Sequence, residues 1–325
     1  MAVQHIYAAS HGERGMISHL TLDEEGQLSL RHFSVTGCAD YLTIEGSQLY
    51  VLLREPYMMQ SGVQCYELMP SGFFLEKGPP VPTRGSVAAY VLRHAGYTYV
   101  SNYLQGTTIR LPDRMIVHQG SSVHPTRQNC SHPHCIVKVP HTDYLAIADL
   151  GTDKIYLVDQ ELNPVSEVNM PTGSGPRHLA FHPTLPLAYC VSELSSTVSV
   201  LRIERNRLQF LRSYSTLPAD YTGVSTGSAI KIDESGTHLF VSNRGHDSVA
   251  VFYISNDQLI LSYHLPSGGR SPRDILLTGP WLLCANEGSD NIQVFRVGDP
   301  SGQSVCTLSL PCPWCIQLQQ SNTAL

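Results

Sequence analysis

The sequence predicts an all-β protein, folded as a seven-bladed β-propeller of four-stranded antiparallel blades. The main observation is a segment that occurs seven times: a short apolar strand, one polar closing residue, a small turn and an alternating strand. Successive copies are 43–50 residues apart. That period, with several short strands per copy, is typical of propeller blades. The polar residues that close the first strand of each copy are Ser10, Arg54, Asn102, Asp149, Glu193, Asn243 and Asn286.

A second recurring segment lies upstream of each copy and predicts the innermost strand of each blade. It begins with proline or glycine and continues as an apolar strand. Proline is tolerated at the first residue of a strand, where its missing N–H costs least. The clearest examples are HPHCIVKV from His132, GPRHLAFHP from Gly175, GSAIKID from Gly227, SPRDILL from Ser271 and CPWCIQL from Cys312, with less regular versions from Gly37 and Arg84.

Each blade is then expected to hold four strands joined by short turns. In one copy the predicted strands are His178–His182, Ala188–Ser192, Thr197–Ile203 and Leu208–Ser213. The longest irregular stretch, about 114–131, is expected to be a loop, and loops of that length often carry function.

The two ends of the chain each lack part of a blade. Pro313–Gln319 resembles an innermost strand with nothing after it, and Ile6–Ser10 resembles a second strand with nothing before it. Joining them completes a blade and removes exposed sheet edges. We therefore expect a single domain over residues 1–325, with the ring closed by strands from both termini and one blade shared by about 1–37 and 312–325.

Composition and charge exclude several classes of partner. The 325 residues carry a formal net charge of −6, which argues against a nucleic-acid or membrane surface. No apolar run is long enough to span a bilayer, and the N-terminus does not read as a signal peptide. The nine cysteines are an odd number scattered through strands, so we expect reduced thiols and a cytoplasmic protein. We also expect a monomer or weak homodimer.

Overlaying the innermost strands predicts which side chains meet at one mouth of the central channel. Two arginines, a histidine and a tryptophan share that level, and Glu193 and Arg244 are expected close by. The strand-end residues Asp149, Asn243 and Asn286 are further candidates for substrate binding, although such residues often satisfy backbone groups instead. The overlaid positions are Ala39, Ser86, His134, Arg177, Ala229, Arg273 and Trp314.

These residue types suit an anionic substrate. Guanidinium groups bind carboxylate or phosphate through paired hydrogen bonds, and they can also stabilise a developing oxyanion. His134 or Glu193 could move a proton near neutral pH. Hydrolysis of a lactone and exchange of an α-proton both fit this set. The structural alternatives are that Arg177 and Arg273 tie blades together and that Trp314 plugs the channel. No spacing of histidines or cysteines predicts a metal site.

The chain resembles the lactonase family of seven-bladed propellers. The resemblance rests on HPHCIV, IADLGTDKIYLVD, GSGPRHLAFHPTLPLAYCVSELSSTVSVL, IKIDESGTHLFVSNRGHDSVAVF and SPRDILLTGPWLLCANEGSDNIQVF, which lie between His132 and Phe295. It implies a site without metal or cofactor, in which His134, Arg177, Glu193 and Arg244 match residues proposed to act in the cycloisomerase branch. The first two blades of this chain match the motifs of the family poorly.

The resemblance implies a lactone hydrolase. The favoured activity is that of a 6-phosphogluconolactonase, with a small anionic lactone as substrate and a place in the pentose phosphate pathway of glucose metabolism. Three alternatives stay open: a carboxymuconate cycloisomerase-type lactonising enzyme, another sugar-lactone hydrolase, and a non-catalytic propeller that serves as a binding platform.

Overall fold

The structure is a computed structural model, and it describes residues 3–13, 15–57 and 59–320, with only the backbone of Tyr57. Within these residues the secondary structure is almost entirely β, with one short 3₁₀ turn at Glu287–Ser289. The strands are β1 (Gln4–Ser10), β2 (Met16–Leu22), β3 (Leu28–Val35), β4 (Ala39–Glu45), β5 (Gln48–Tyr57), β6 (Gln60–Leu68), β7 (Phe74–Glu76), β8 (Val81–Pro82), β9 (Ala88–His94), β10 (Tyr97–Asn102), β11 (Thr107–Leu111), β12 (Arg114–Val117), β13 (Pro133–Lys138), β14 (Leu145–Asp149), β15 (Lys154–Val158), β16 (Pro164–Asn169), β17 (Pro176–Phe181), β18 (Leu187–Ser192), β19 (Thr197–Glu204), β20 (Arg207–Ser215), β21 (Thr226–Ile232), β22 (His238–Arg244), β23 (Ser248–Ser255), β24 (Gln258–Pro266), β25 (Pro272–Thr278), β26 (Trp281–Asn286), β27 (Asn291–Arg296), β28 (Cys306–Ser309) and β29 (Pro313–Leu318).

The strands form seven antiparallel sheets, which confirms the predicted seven-bladed propeller. From the innermost strand outwards, blade 1 is β29-β1-β2-β3, blade 2 is β4-β5-β6-β7, and blade 3 is β9-β10-β11-β12. Blades 4 to 7 follow in sequence order from β13, β17, β21 and β25. Blade 2 differs from the predicted four strands because the short β8 also pairs with β6.

Strands from both ends of the chain close the ring, as predicted. In blade 1, β1 pairs with β29 on one side and with β2 on the other, with Ile6 opposite Leu318 and Ala8 opposite Ile316. The predicted loop at about 114–131 is partly wrong. Its first four residues form β12, because their backbone completes the edge of blade 3 beside β11.

The core consists of apolar layers between neighbouring blades. The second strands are almost continuously apolar, and β14, β18 and β26 are buried along their whole length. Each cluster of buried side chains joins adjacent sheets; Leu157 of blade 4 and Leu201 of blade 5, for example, belong to one cluster. Because a blade cannot cover its own faces, each blade depends on both neighbours and the ring is stable only when closed.

All nine cysteines are free thiols, and five of them are at least partly exposed. Cys315, the second cysteine of the CPWC segment that begins at Cys312, lies in β29 and is buried. Over the described residues, no helix is long and apolar enough to cross a membrane.

Candidate active site

A β-bulge near the start of every innermost strand builds the site. At each bulge the pairing with the second strand shifts, so one extra residue stands on the inner strand. A bulge bends the strand and re-aims a side chain. Six of the seven blades contribute their bulged residue to the border of one central cavity. The bulged residues that border the cavity are Asp40, Ala89, His134, Arg177, Arg273 and Trp314. In blade 6 the bulge consists of Ser228 and Ala229, and neither of them borders the cavity.

The bulges show where the overlay of the sequence was right and where it was wrong. His134, Arg177, Arg273 and Trp314 border the cavity as predicted, and a proline directly precedes each of them. In blade 2 the overlay predicted Ala39, but the residue at the cavity is Asp40, one position further on. In blade 3 it predicted Ser86, but the residue at the cavity is Ala89, three positions further on. In blade 6 the predicted Ala229 lies in the bulge but does not border the cavity. These three blades have no proline at the strand start, so nothing local marked the bulge.

The cavity has a volume of about 320 Å³ and an excess of positive charge. Five arginines and three carboxylates border it, which leaves an excess of two positive charges. One of the carboxylates, Asp274, accepts hydrogen bonds from the backbone N–H groups of Ile275 and Ile316 at 2.9 and 3.0 Å, and is 3 % exposed. The arginines are Arg54, Arg127, Arg177, Arg244 and Arg273, and the other two acids are Asp40 and Glu193.

Three guanidinium groups surround one buried carboxylate in what we call the Glu193 cluster: Glu193, Arg127, Arg177 and Arg244. Arg127 Nη2 donates to Glu193 Oε1 at 2.5 Å. Arg177 Nε and Arg244 Nη2 lie 3.0 and 3.1 Å from Oε2. The exposed fractions of the arginine side chains are 39 %, 3 % and 14 % in that order. The cluster is therefore a group of two buried donors and one more exposed donor, Arg127.

The cluster determines the protonation of its carboxylate. Burial on its own would raise the pKa of Glu193, but Arg244 and Arg177 outweigh it and hold that pKa well below its usual range. Burial lowers the pKa of Arg177, and the neighbouring Arg244 lowers it further. Because arginine remains charged at any ordinary pH, the cluster has a net charge of +2.

His134 is buried beside this cluster. Its Nε2 lies 4.0 Å from Glu193 Oε2, and its Nδ1 is buried without a hydrogen-bond partner among the described residues. Burial lowers the pKa of His134 well below its usual value, and Arg177 lowers it further. Its ring packs edge-on against His178 at 5.2 Å between centroids, and burial likewise lowers the pKa of His178. Both imidazoles are therefore neutral near pH 7.

Across the ring from the Glu193 cluster lies the Trp314 stack: His11, Trp314 and Arg273, of which Trp314 and Arg273 border the cavity. The rings of His11 and Trp314 are nearly parallel, at 10°, with centroids 3.9 Å apart. The Arg273 guanidinium lies 3.5 Å from the same indole centroid, and two groups that close must occupy opposite faces. Both faces of Trp314 are covered, so the edge of the indole is what it offers to the cavity. Its predicted role in substrate binding stays a prediction.

Asp40 joins this stack to the second blade. Its Oδ1 is 2.6 Å from His11 Nδ1, and its Oδ2 accepts from Arg54 Nε at 2.7 Å. The Asp40 side chain is 3 % exposed and the other two are each 23 % exposed. Arg54 occupies the repeat position equivalent to Glu193, so blade 2 has a cation where blade 5 has an anion.

The prediction that Asp149, Asn243 and Asn286 bind substrate is corrected. All three are fully buried and none borders the cavity. The Asp149 carboxylate accepts hydrogen bonds from the backbone N–H groups of His132 and Gly151 at 2.7 and 2.9 Å. It therefore shapes the turn before β13, as the structural alternative proposed.

The two asparagines connect neighbouring blades. The Asn243 amide donates to the backbone carbonyl of Thr216 at 2.8 Å, and that residue follows the outer strand of blade 5. Asn286 donates in the same way to Ser267, which follows the outer strand of blade 6, at 2.9 Å. A buried carbonyl needs such a donor, so these amides are structural.

Sequence reasoning missed Arg127, Tyr103, Asp40 and Arg54. Arg127 comes from the loop after β12, and its Nε also donates to the Tyr103 hydroxyl at 3.3 Å. The unusual length of that loop was the one signal in the sequence. Arg54 was one of the seven polar residues that close the strands, but blade 2 matched the family motifs poorly and nothing in the sequence marked its pairing with Asp40.

Comparison with known proteins gives one family match and several relatives. Residues 5–316 match the sequence model of the family described as lactonase, 7-bladed β-propeller. A 6-phosphogluconolactonase of Bacillus subtilis is 32 % identical over 236 residues, covering 69 % of this chain and 67 % of the relative. A 6-phosphogluconolactonase of Yersinia pestis is 28 % identical over 317 residues, 92 % of each chain.

A solved structure agrees in fold over nearly the whole chain. The periplasmic gluconolactonase of Pseudomonas aeruginosa has a TM-score of 0.90 and 27 % sequence identity, covering 98 % of this chain and 99 % of its own.

Proposed function

This chain belongs to the lactonase family of seven-bladed β-propellers, and we propose that it hydrolyses 6-phospho-D-glucono-1,5-lactone to 6-phosphogluconate. Lactone hydrolysis fits the activities for which the relatives are named, two of them 6-phosphogluconolactonases and one a gluconolactonase. The activity would place the chain in the pentose phosphate pathway. The cytoplasmic location expected from the sequence stays a prediction.

The charge of the Glu193 cluster is the observation that supports a phosphorylated substrate. Three guanidinium groups and one carboxylate leave a charge of +2, and a phosphate monoester carries about −1.5 to −2 at pH 7. The two charges nearly cancel. An unphosphorylated lactone has no charge to offer, so binding it would leave the cluster uncompensated.

Arg177 and Arg244 are suited to hold the phosphate. Arg177 is fixed on two sides, with Nε on Glu193 and Nη1 donating to the backbone carbonyl of Ser228 at 2.8 Å. Arg244 Nε is buried without a hydrogen-bond partner among the described residues, so it has a donor to offer. Arg127, the most exposed of the three, can turn from Glu193 to the substrate at the least cost in desolvation.

Of the two residues expected to act as the base, His134 fits better than Glu193. A carboxylate among three guanidinium groups resists protonation, whereas a neutral imidazole has a free lone pair for the proton of an attacking water. The water oxygen then bonds to the carbonyl carbon, and a guanidinium group stabilises the oxyanion. The bond from the carbonyl carbon to the ring oxygen breaks, and a proton reaches that oxygen.

The direct test is hydrolysis of 6-phosphogluconolactone above its spontaneous rate, compared with glucono-1,5-lactone. Arg177→Ala should raise KM about 10- to 100-fold for the phosphorylated lactone, the equivalent of one charged hydrogen bond. The same variant should change KM for the unphosphorylated lactone less than about three-fold.

The matched control is Arg93→Ala, which removes a mostly buried arginine that is paired with Glu45 at 2.8 Å and does not border the cavity. It should leave both reactions unchanged. Equal losses on both lactones in Arg177→Ala would contradict the phosphate role. Exchange of an α-proton of the product with deuterated solvent, without net hydrolysis, would favour the cycloisomerase alternative.

A further inference from the structure

We infer that His11 is a second catalytic residue of this cavity, which donates the proton to the ring oxygen when the lactone opens, with Asp40 as its positioning residue. The inference rests on the proposed lactone hydrolysis. It assigns a proton donor for the leaving oxygen, whereas His134 serves only the attacking water.

The hydrogen bond between His11 and Asp40 determines which ring nitrogen is free. A carboxylate only accepts hydrogen bonds, so His11 Nδ1 carries the hydrogen in the 2.6 Å contact with Asp40 Oδ1. Nε2 is therefore the nitrogen left free for the substrate, and it has no hydrogen bond with any described residue. In the imidazolium form of His11 this nitrogen holds the proton that the ring oxygen would receive. The other oxygen of Asp40 accepts from Arg54 Nε, so the carboxylate cannot rotate away. A carboxylate that orients an imidazole in this way is common in acid–base catalysis.

The ring of His11 is also held in position. Its face stacks on Trp314, and its backbone N–H donates to the Cys312 carbonyl at 3.0 Å. Arg273 presses on the far face of Trp314 and is itself paired with Glu287. A catalytic group works best when its neighbours fix its orientation before the substrate arrives.

The position in the ring gives His11 a task separate from that of His134. Asp40, Arg54 and Trp314 all border the cavity from blades 1 and 2, whereas His134 and Glu193 belong to blades 4 and 5. His11 stands beside that border with 23 % of its side chain exposed. A substrate with its phosphate on the Glu193 cluster would extend its lactone ring towards this side.

The reaction needs one group to accept a proton and one group to donate a proton, and the two histidines fill these roles. One proton of the attacking water passes to His134 as the new carbon–oxygen bond forms. When the bond to the ring oxygen breaks, His11 Nε2 delivers its proton to that oxygen, giving the free hydroxyl. His134 then loses its proton to solvent and His11 regains one. The net change is the addition of one water across the ester bond.

The test compares His11→Gln and Asp40→Asn with His238→Gln. His238 is a matched control because its Nδ1 contacts Asp233 at 3.1 Å but it does not border the cavity. We expect kcat on the phosphorylated lactone to fall about 10²- to 10³-fold in His11→Gln and about 10-fold in Asp40→Asn, with KM within about three-fold. His238→Gln should match the wild type.

The pH profile separates catalysis from a structural role. A general acid must be protonated, so in the wild type kcat should decline on the alkaline side, and in His11→Gln that decline should disappear while the acid side persists. The charged groups around His11 are Asp40 in direct contact, Arg54 on the same carboxylate and Arg273 on the far face of Trp314, and His11→Gln retains all three.

Two results would overturn the role of His11 alone. In the first, His11→Gln keeps more than a third of the wild-type kcat. In the second, His11→Gln has a lower kcat but the same dependence of kcat on pH as the wild type. A wild-type protein that does not accelerate lactone hydrolysis would instead overturn the proposed function, and the role of His11 with it. A single cooperative unfolding transition in each variant would confirm that it folds, and Asp40→Asn should melt a few degrees lower because Arg54 loses its buried carboxylate.

Discussion

Replacing Glu193 by glutamine removes the single negative charge that compensates three guanidinium groups. The side chain keeps its shape, so the change is almost purely electrostatic. Removing one partner of a buried ion pair costs roughly 3–5 kcal/mol, because the remaining charges stay desolvated and unpaired. The unfolding entropy of a chain of this length is about 0.7 kcal/mol/K near the midpoint, so the melting temperature should fall by about 4–7 °C.

The charge argument further predicts that phosphate should compensate for the loss. The variant cluster has a charge of +3 in place of +2, and an anion that binds only the folded state stabilises it. Inorganic phosphate should therefore raise the melting temperature of Glu193→Gln more than that of the wild type, with sodium chloride at equal ionic strength as the reference.

The assay is thermal unfolding followed by circular dichroism, and Glu161→Gln is the matched control. Glu161 also contacts two arginines, Arg110 at 2.5 Å and Arg114 at 3.3 Å, but its side chain is 45 % exposed. Exposed pairs contribute about 0–1 kcal/mol, so this variant should lose no more than about 1–2 °C. Equal losses in the two variants, or equal effects of phosphate on wild type and Glu193→Gln, would refute the reasoning.

The pH dependence has a definite sign. The pKa of Glu193 is lower in the folded state than in the unfolded chain, so its stabilising contribution is complete above the unfolded value, near pH 4.3. It decreases as the pH falls below that value. The difference in melting temperature between wild type and Glu193→Gln should therefore be constant from pH 7 to about pH 5 and shrink in stronger acid.

Four further outcomes are expected. Arg127→Ala should raise KM for the phosphorylated lactone about three- to ten-fold and change the melting temperature by less than about 2 °C, because this side chain is 39 % exposed; a larger loss of stability would mean that it is structural. Asn243→Ala should lower the free energy of unfolding by about 1–3 kcal/mol and leave KM unchanged, since it removes two buried hydrogen bonds between this amide and Thr216, and urea unfolding with kinetics would check both. Burial, and then the neighbouring His5, lower the pKa of His19 to about 4, so unfolding stability should fall by about 3 kcal/mol from pH 6.5 to pH 4, and His19→Gln should abolish most of that fall. Hydrolysis assayed with and without a chelator should proceed at the same rate, and inactivation would point to a metal.

Local patterns in the sequence were enough to predict the architecture and part of the site. The strand–turn–strand segment recurs every 43–50 residues, and strands that follow one another in this way pair with each other within a blade. The prolines before His134, Arg177, Arg273 and Trp314 marked the bulged positions, because proline restricts where a strand can begin. In blades 2 and 3 that mark is missing, and there the predicted positions were out of register.

The polar residues that close the second strands show the limit of such reasoning. The repeat pattern aligned Glu193 with Asn243 and Asn286, but the strand pairing aligns Ser192 with those two amides. Glu193 stands one residue further on, at the position of Arg244, and both of these residues border the cavity. The two amides find backbone carbonyls of the preceding blade within reach. A shift of one residue in the alignment therefore decides whether a side chain borders the cavity or turns towards the neighbouring blade, and the repeat pattern did not resolve that shift.

The sequence by itself therefore determined the number of blades, the closure of the ring by both termini and the arginines and histidine of blades 4, 5 and 7. These features depend on residues near one another in the chain. Only the tertiary structure decided that Arg127 reaches Glu193 across 66 residues and that His11 meets Asp40 across 29. Such contacts arise from the packing of separate sheets around an axis, and the ionisation of each group depends on neighbours that no local pattern identifies.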